Sequence, residues 1–211
     1  MKVLIVFAHP DKRSLQHSLL KVTVDALEKN GHEVKVSDLY DMKWKIAVDE
    51  DDFLNHEKGT RLHAMRAAAS AYEEGKLAQD IVDEQNRVKW ADLVIFQFPL
   101  WWYSMPAIMK GWMDRVLNKK FAFSKSGDTT TRPLAGKKAF MIVTAGGTVD
   151  DFSDSGFLGD MSNILYPIQK GIFEFIGFDA LDPIIGYGAD SRKPICFEST
   201  SKLIEERCAS L

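Results

Sequence analysis

Three short stretches hold residue types from which a site for a flat, anionic ligand could be built. "AHPDKRSLQHS" (8–18) offers His9, Lys12, Arg13 and Ser14 around what reads as a helix start. Free backbone N–H groups and positive charge there suit a phosphate or pyrophosphate. "FPLWWYSMP" (98–106) sets Trp101, Trp102 and Tyr103 in a row between two prolines. That is too apolar for an ordinary surface loop, and the prolines argue against a buried strand. Stacked aromatics give a planar ligand flat walls. "TAGGT" (144–148) carries Gly146 and Gly147, whose missing side chains would let such a ligand reach the backbone and bond its ring carbonyls to N–H groups. Each stretch alone has an ordinary explanation: a hydrogen-bonded histidine, core or interface aromatics, a tight turn. Together they suggest a flavin nucleotide. The first loop is not a Walker loop, and no Gly-x-Gly-x-x-Gly stands there either, which weighs against direct dinucleotide binding of the Rossmann kind.

These loops need elements to position them. Val3–Phe7 is short, β-branched and apolar throughout, the pattern of a strand buried on both faces of a parallel sheet. Ser14 caps a helix with Leu15, Leu19, Leu20, Val22 and Leu27 at helical spacing and Gly31 as its stop. Further strands are expected at Glu33–Ser37, Leu93–Gln97, Ala139–Thr144 and Pro183–Tyr187, and further helices at Leu62–Glu74, Asp80–Lys89, Ala107–Leu117, Met161–Ile176 and Glu198–Ala209. Alternating strands and helices give βαβ units. The expectation is one flavodoxin-like α/β domain over 1–211, a doubly wound five-stranded parallel sheet of order 2-1-3-4-5 with helices on both faces. In that order the strand ends before 8–18, 98–106 and 144–148 meet at one edge, around the switch point where ligands bind. Residues 41–58 are irregular and longer than a usual connection, and read as an ordered excursion or an interface element.

Composition narrows the function classes. The 211 residues carry a net charge of −3, with no basic stripe for nucleic acid and no run long enough to span a membrane. Cys196 and Cys208 are the two cysteines, without partners at zinc spacing, and Asp49–Asp52 reads as a solvated loop or helix start, so no metal site is expected. The reading is a cytoplasmic protein in a reducing compartment.

With these residues in place, "DLVIFQFPLWWYSMPAIMKGWMDRVL" (92–117), "AYEEGKLAQDIVDEQ" (71–85), "LIVFAHPDKRS", "SDLYDM" (37–42) and "GDMSNILYPIQKGIFEFIGF" (159–178) resemble the NAD(P)H:quinone oxidoreductase family of the DT-diaphorase type, over roughly residues 3–187. The resemblance implies FAD rather than FMN, NADH or NADPH as reductant, a quinone or similar small-molecule acceptor, ping-pong kinetics and a homodimer with active sites at its interface. By position it gives His9, Ser14, Leu15 and Gln16 to the pyrophosphate and ribityl region. Pro99, Leu100, Trp101, Trp102 and Tyr103 would line the isoalloxazine, and Thr144, Ala145, Gly146 and Gly147 would bond its polar edge. Trp102 and Tyr103, with Gly146 and Gly147, are the residues expected at the chemistry. Phe123 and Phe175 would close the substrate pocket, partly from the other subunit.

The chain departs from that pattern twice. Phe152 and Leu158 stand where the family has a Tyr and a His thought to stabilise charge on the reduced flavin, and Lys125 replaces a second pocket Tyr. Neither Phe nor Leu can donate a hydrogen bond, so backbone N–H groups near Gly146-Gly147 would carry more of that task. Two other readings remain open: azo- or nitro-reduction by the same flavin, and a regulatory FAD-binding subunit with little turnover.

Overall fold

The computed structural model describes residues 1–126, 129–191 and 195–211. In chain order the elements are β1 (Lys2–Phe7), α1 (Leu15–Lys29), β2 (Glu33–Asp38), α2 (Ala64–Glu73), α3 (Gln79–Trp90), β3 (Leu93–Pro99) and α4 (Ala107–Val116). They continue with β4 (Ser124–Ser126), β5 (Thr129–Thr131), β6 (Lys138–Ala145), α5 (Met161–Ile168), β7 (Asp179–Ala180), β8 (Ile184–Tyr187) and α6 (Ile195–Ala209).

The sheet runs β2-β1-β3-β6 with every pairing parallel, and its outer position is shared by two pieces. β7 pairs with the start of β6 (Lys138↔Asp179) and β8 with its end (Ala145↔Tyr187). The expected 2-1-3-4-5 order is therefore the observed one, with the fifth strand interrupted. Alternation along the strands sorts the core into two layers. Val3, Ile5, Phe7, Ile95 and Ile142 pack with Leu19, Leu27, Ile204 and Cys208 beneath α1 and α6. Leu4, Val6, Phe96, Met141 and Val143 pack with Ile81, Met109, Trp112 and Leu165 beneath α3, α4 and α5. Burial on both faces is why these strands read as unbroken apolar runs.

One expected element is corrected and one unexpected element is added. The single helix expected over Met161–Ile176 is α-helical only to Ile168 and continues as π-helix over Gln169–Glu174. Pro167 lies inside it and cannot donate to the carbonyl one turn back, which loosens the ladder at that place. A hairpin not foreseen, β4 with β5, pairs Ser124 with Thr131 and Lys125 with Thr130.

Residues 41–58 form an ordered excursion. Asp49 caps a short 3₁₀ turn, Glu50–Asp52. Asp52, with its side chain 1% exposed, accepts from Arg115 of α4 at 2.9 Å and from Lys45 at 2.8 Å. The Arg115 guanidinium lies 4.5 Å from the Trp44 ring centroid and also reaches Asp80 at 2.7 Å. The excursion comes so close to α4 that any Cβ on Gly111 would collide with the Ile46 carbonyl.

Candidate functional site

The carboxyl ends of β1, β3 and β6 lie side by side, and hydrogen bonds tie the loops that leave them. The Leu100 N–H donates to the Thr144 carbonyl at 2.8 Å, and Gln16 Nε2 donates to Thr144 Oγ1 at 3.0 Å. Gln97 Nε2 donates to the Gln16 carbonyl at 3.1 Å, and Thr23 Oγ1 donates to Gln97 Oε1 at 3.2 Å. His9 meets Trp101 with ring centroids 6.0 Å apart. The three stretches singled out in the sequence therefore form one edge. Thr23 and Gln97 brace these loops from within the core, and sequence reasoning missed them because a buried polar residue within an apolar segment leaves no periodic signal.

At the first loop, Ser14 caps α1 and accepts from the His17 N–H at 3.2 Å. By position, the N–H groups of Leu15 and Gln16 have no acceptor within the helix, which leaves them for an anion. Leu15 packs its side chain into the α1–α6 layer, so only its backbone can face a ligand. His9 Nδ1 accepts from the Asp11 N–H at 3.1 Å, and burial lowers the His9 pKa from its ordinary 6.5. The expected free positive charge is corrected: Lys12 pairs with Asp41 at 2.6 Å, and Arg13 with Asp11 at 2.9 Å. Hydrogen bonds from Arg13 hold the Asp11 carboxyl down to about 2. What the loop offers an anion is therefore backbone N–H groups more than cations.

At the second loop, Pro99 is the last residue of β3, paired with Thr144, and the chain then reverses within four residues. The N–H of Trp101 donates to the Ser104 carbonyl at 3.0 Å, and that of Ser104 returns to the Trp101 carbonyl at 3.0 Å. Between them Trp102 and Tyr103 have φ of 49° and 59°. Such a turn favours Asn-Gly at its centre. Two large aromatics in left-handed conformation cost of order 1–3 kcal/mol each and persist where the surroundings enforce them, most often at functional sites. The turn presents Trp102 97% exposed and Tyr103 52% exposed. That is the aromatic shelf the sequence announced.

At the third loop, Thr144 and Ala145 are buried and Gly146 is exposed. The role expected of the glycines is modified. The space a Gly146 Cβ would take is held by the Asp190 carboxylate, and a Cβ on Gly147 would stand 3.0 Å from both Leu158 and Phe152. Phe152 is buried, with its ring 6.0 Å from Tyr187. The glycines make room for this chain's own side chains as well as for a ligand.

Phe123 and Phe175 pair with each other at 5.2 Å and line a cavity of about 240 Å³ together with Lys110, Met113 and Ile172. Lys125 lies two residues on from Phe123, exposed on β4. Among the described residues no ring contact joins this group to Trp101–Tyr103 of the same chain. A larger cavity, about 340 Å³, lies between the excursion, α2 and α4, with Asp52, Met65 and Arg115 on its walls.

The edge fits a planar group carrying phosphate: unsatisfied helix-start N–H groups, an exposed aromatic turn and a Gly-Gly turn adjoin one another. Among the described residues no group of three or more His, Cys, Asp or Glu side chains could hold a metal, and no helix is long and apolar enough to cross a membrane.

A family model described as flavodoxin-like fold matches residues 1–203. The chain is 47% identical to a ribosyldihydronicotinamide dehydrogenase-like protein of Penicillium crustosum, over 89% of this chain and 73% of that one. It is 41% identical to NAD(P)H dehydrogenase [quinone] 1 of Cavia porcellus, over 92% of this chain and 70% of the other. Among solved structures, a Klebsiella pneumoniae protein described as a candidate quinone reductase superposes with a TM-score of 0.93 at 42% identity, covering 98% of this chain and 83% of that one.

Proposed function

The chain belongs to the flavodoxin-like family that includes the NAD(P)H and ribosyldihydronicotinamide quinone dehydrogenases, and from that premise we propose that it is an FAD-dependent NAD(P)H:quinone oxidoreductase working as a homodimer. A bound flavin would supply two-electron chemistry between nicotinamide and quinone, and the one edge formed by Trp101–Tyr103 and Gly146-Gly147 would take the two substrates in turn, in ping-pong order.

The observation that carries the reading is the Trp101–Ser104 turn, in which two aromatics are held at positive φ and exposed beside the start of α1 and the Gly146-Gly147 turn. In this account the N–H groups of Leu15 and Gln16 hold the pyrophosphate and neutral His9 packs beside it. Trp101, Trp102 and Tyr103 support one side of the ring, with Pro99 and Leu100 fixing where the turn leaves the sheet. The backbone of Thr144, Ala145, Gly146 and Gly147 bonds the ring's polar edge. Phe152 and Leu158 exclude water there without donating a proton. FAD is preferred to FMN because the hydroxyl-rich loop that an FMN phosphate would need is absent after β1.

The exposed aromatics support homodimerisation. Trp102, Tyr103, Tyr166 and Phe175 are each more than half exposed or close to it, and contiguous apolar patches mark interfaces. Phe123, Lys125 and Phe175 of one protomer then complete the pocket over Trp102 of its partner.

A second reading concerns the reductant alone. The Penicillium relative, at 47% identity, is named for ribosyldihydronicotinamide, so dihydronicotinamide riboside is the alternative donor. The proposal is tested by identifying the flavin released from heat-denatured protein and by steady-state quinone reduction with NADH, NADPH and dihydronicotinamide riboside. Released FAD and turnover with one of the nicotinamides, giving parallel double-reciprocal lines as the quinone is varied, support it. Bound FAD without turnover points to a regulatory subunit.

A further inference from the structure

The Gly146-Gly147 turn is clamped from outside by residues that follow β8. The Gly188 N–H donates to the Gly147 carbonyl at 2.7 Å, and the Ala189 N–H donates to the Ala145 carbonyl at 2.9 Å. These two bonds fix the chain so that the next side chain, Asp190, lays its carboxylate in the space where Gly146 lacks a Cβ. Both oxygens lie within 3.4 Å of that Cβ position. The Asp190 side chain is exposed and makes no hydrogen bond or ion pair with another described residue. The second carboxylate near the turn, Asp151, is spent locally: its Oδ2 accepts from the Thr148 N–H at 2.7 Å and from the Thr148 hydroxyl at 2.8 Å.

We propose that Asp190 sets the reduction potential of the bound flavin, holding it lower than the backbone turn alone would. The inference rests on the flavin reading above. The backbone of 144–147 is assigned there to the polar edge of the ring, where negative charge accumulates on reduction. Donors aimed at that edge stabilise the reduced form; a carboxylate fixed on the same turn opposes it. Phe152 and Leu158 add no donor, so among the described residues the exposed Asp190 carboxylate acts at this turn beside backbone dipoles and the Thr148-bound Asp151. The reduced protein is then a stronger reductant, and the step that loads electrons becomes less favourable while the step that delivers them to an acceptor becomes more so. The side chain acts through the turn and its field, as a positioning and tuning residue, and needs no contact with either substrate.

The test is the equilibrium midpoint potential of the FAD-loaded protein, measured against reference dyes for the parent, Asp190→Asn, Asp190→Ala and Asp190→Glu, with FAD affinity measured in parallel by fluorescence. Removing the charge in the Asn and Ala variants should shift the two-electron equilibrium about tenfold towards the reduced flavin, which is about 30 mV upward. The Glu variant, which keeps the charge, should lie nearer the parent. Parent-like potentials in both uncharged variants with FAD bound overturn the role of Asp190 and leave the flavin reading standing. A parent protein that binds no flavin overturns both.

Discussion

Gln16 Nε2 donates to Thr144 Oγ1 at 3.0 Å, joining the first turn of α1 to the end of β6 across 128 residues of sequence. Both side chains are buried, and the Gln97 amide closes the link to β3 through the Gln16 carbonyl. The three loops of the site are therefore registered against one another by a polar chain inside an otherwise apolar layer. Buried networks of this kind fix geometry more than they add stability.

Replacing Gln16 by Ala leaves the buried Thr144 hydroxyl without its side-chain partner, while Gln97 keeps its bond to the backbone carbonyl of residue 16. Unsatisfied buried groups cost about 1–3 kcal/mol each, so urea unfolding should show a loss in that range. FAD titration should show weaker binding, since the start of α1 is no longer held to the Gly-Gly turn. Unchanged FAD affinity in the Ala variant would mean the network serves stability only.

On the proposed reading the aromatic turn gives up stability for flavin binding. Exchanging Trp102→Asn together with Tyr103→Gly gives the turn the residues its backbone prefers. Because Trp102 is 97% exposed, little packing is lost there. The flavin-free double variant should be more stable than the parent by about 1–3 kcal/mol in a denaturant melt, and should bind FAD poorly.

Phe152 and Leu158 predict slow electron loading. A single donor aimed at developing charge contributes on the order of 2.7–4 kcal/mol. Installing Phe152→Tyr with Leu158→His should therefore speed stopped-flow reduction of the flavin, and by more than the single changes do, because such pairs act as a unit. If the double variant binds FAD normally yet is reduced no faster, the missing donors are not what limits the rate.

The buried pair Asp52–Arg115 holds the 41–58 excursion on α4. Breaking it with Asp52→Ala leaves Arg115 without its buried partner and should cost about 3–5 kcal/mol. Asp114→Ala, which removes an exposed pair with Lys110, should cost no more than about 1 kcal/mol. Thermal melts of the two variants side by side check this difference.

The sheet was legible because β1, β3 and β6 are buried on both faces and so are apolar without interruption. The three loops were legible because each follows such a run. What stayed hidden depends on contacts remote in sequence or on small departures from regularity. Nothing near Thr23 or Gln97 signals that they meet. Asp52 and Arg115 are 63 residues apart, and Asp52 looked like one more member of a solvated acidic run. The Thr-rich strand Thr129–Thr131 is too short and too exposed for periodicity to register. Pro167 could have warned of the irregular helix, since proline beyond the first turn removes a helical bond. The pairing of Lys12 and Arg13 with Asp41 and Asp11 shows why basic residues near a helix start are weak evidence for phosphate when acidic residues are equally near.

The central claim is that this edge of the sheet holds an FAD that passes electrons from a nicotinamide to a quinone. Anaerobic titration of the FAD-loaded protein tests it most directly, followed by visible absorbance. The account predicts that one equivalent of NADH, NADPH or dihydronicotinamide riboside bleaches the flavin, and that one equivalent of a simple quinone restores it. Flavin that stays oxidised with all three donors would contradict it.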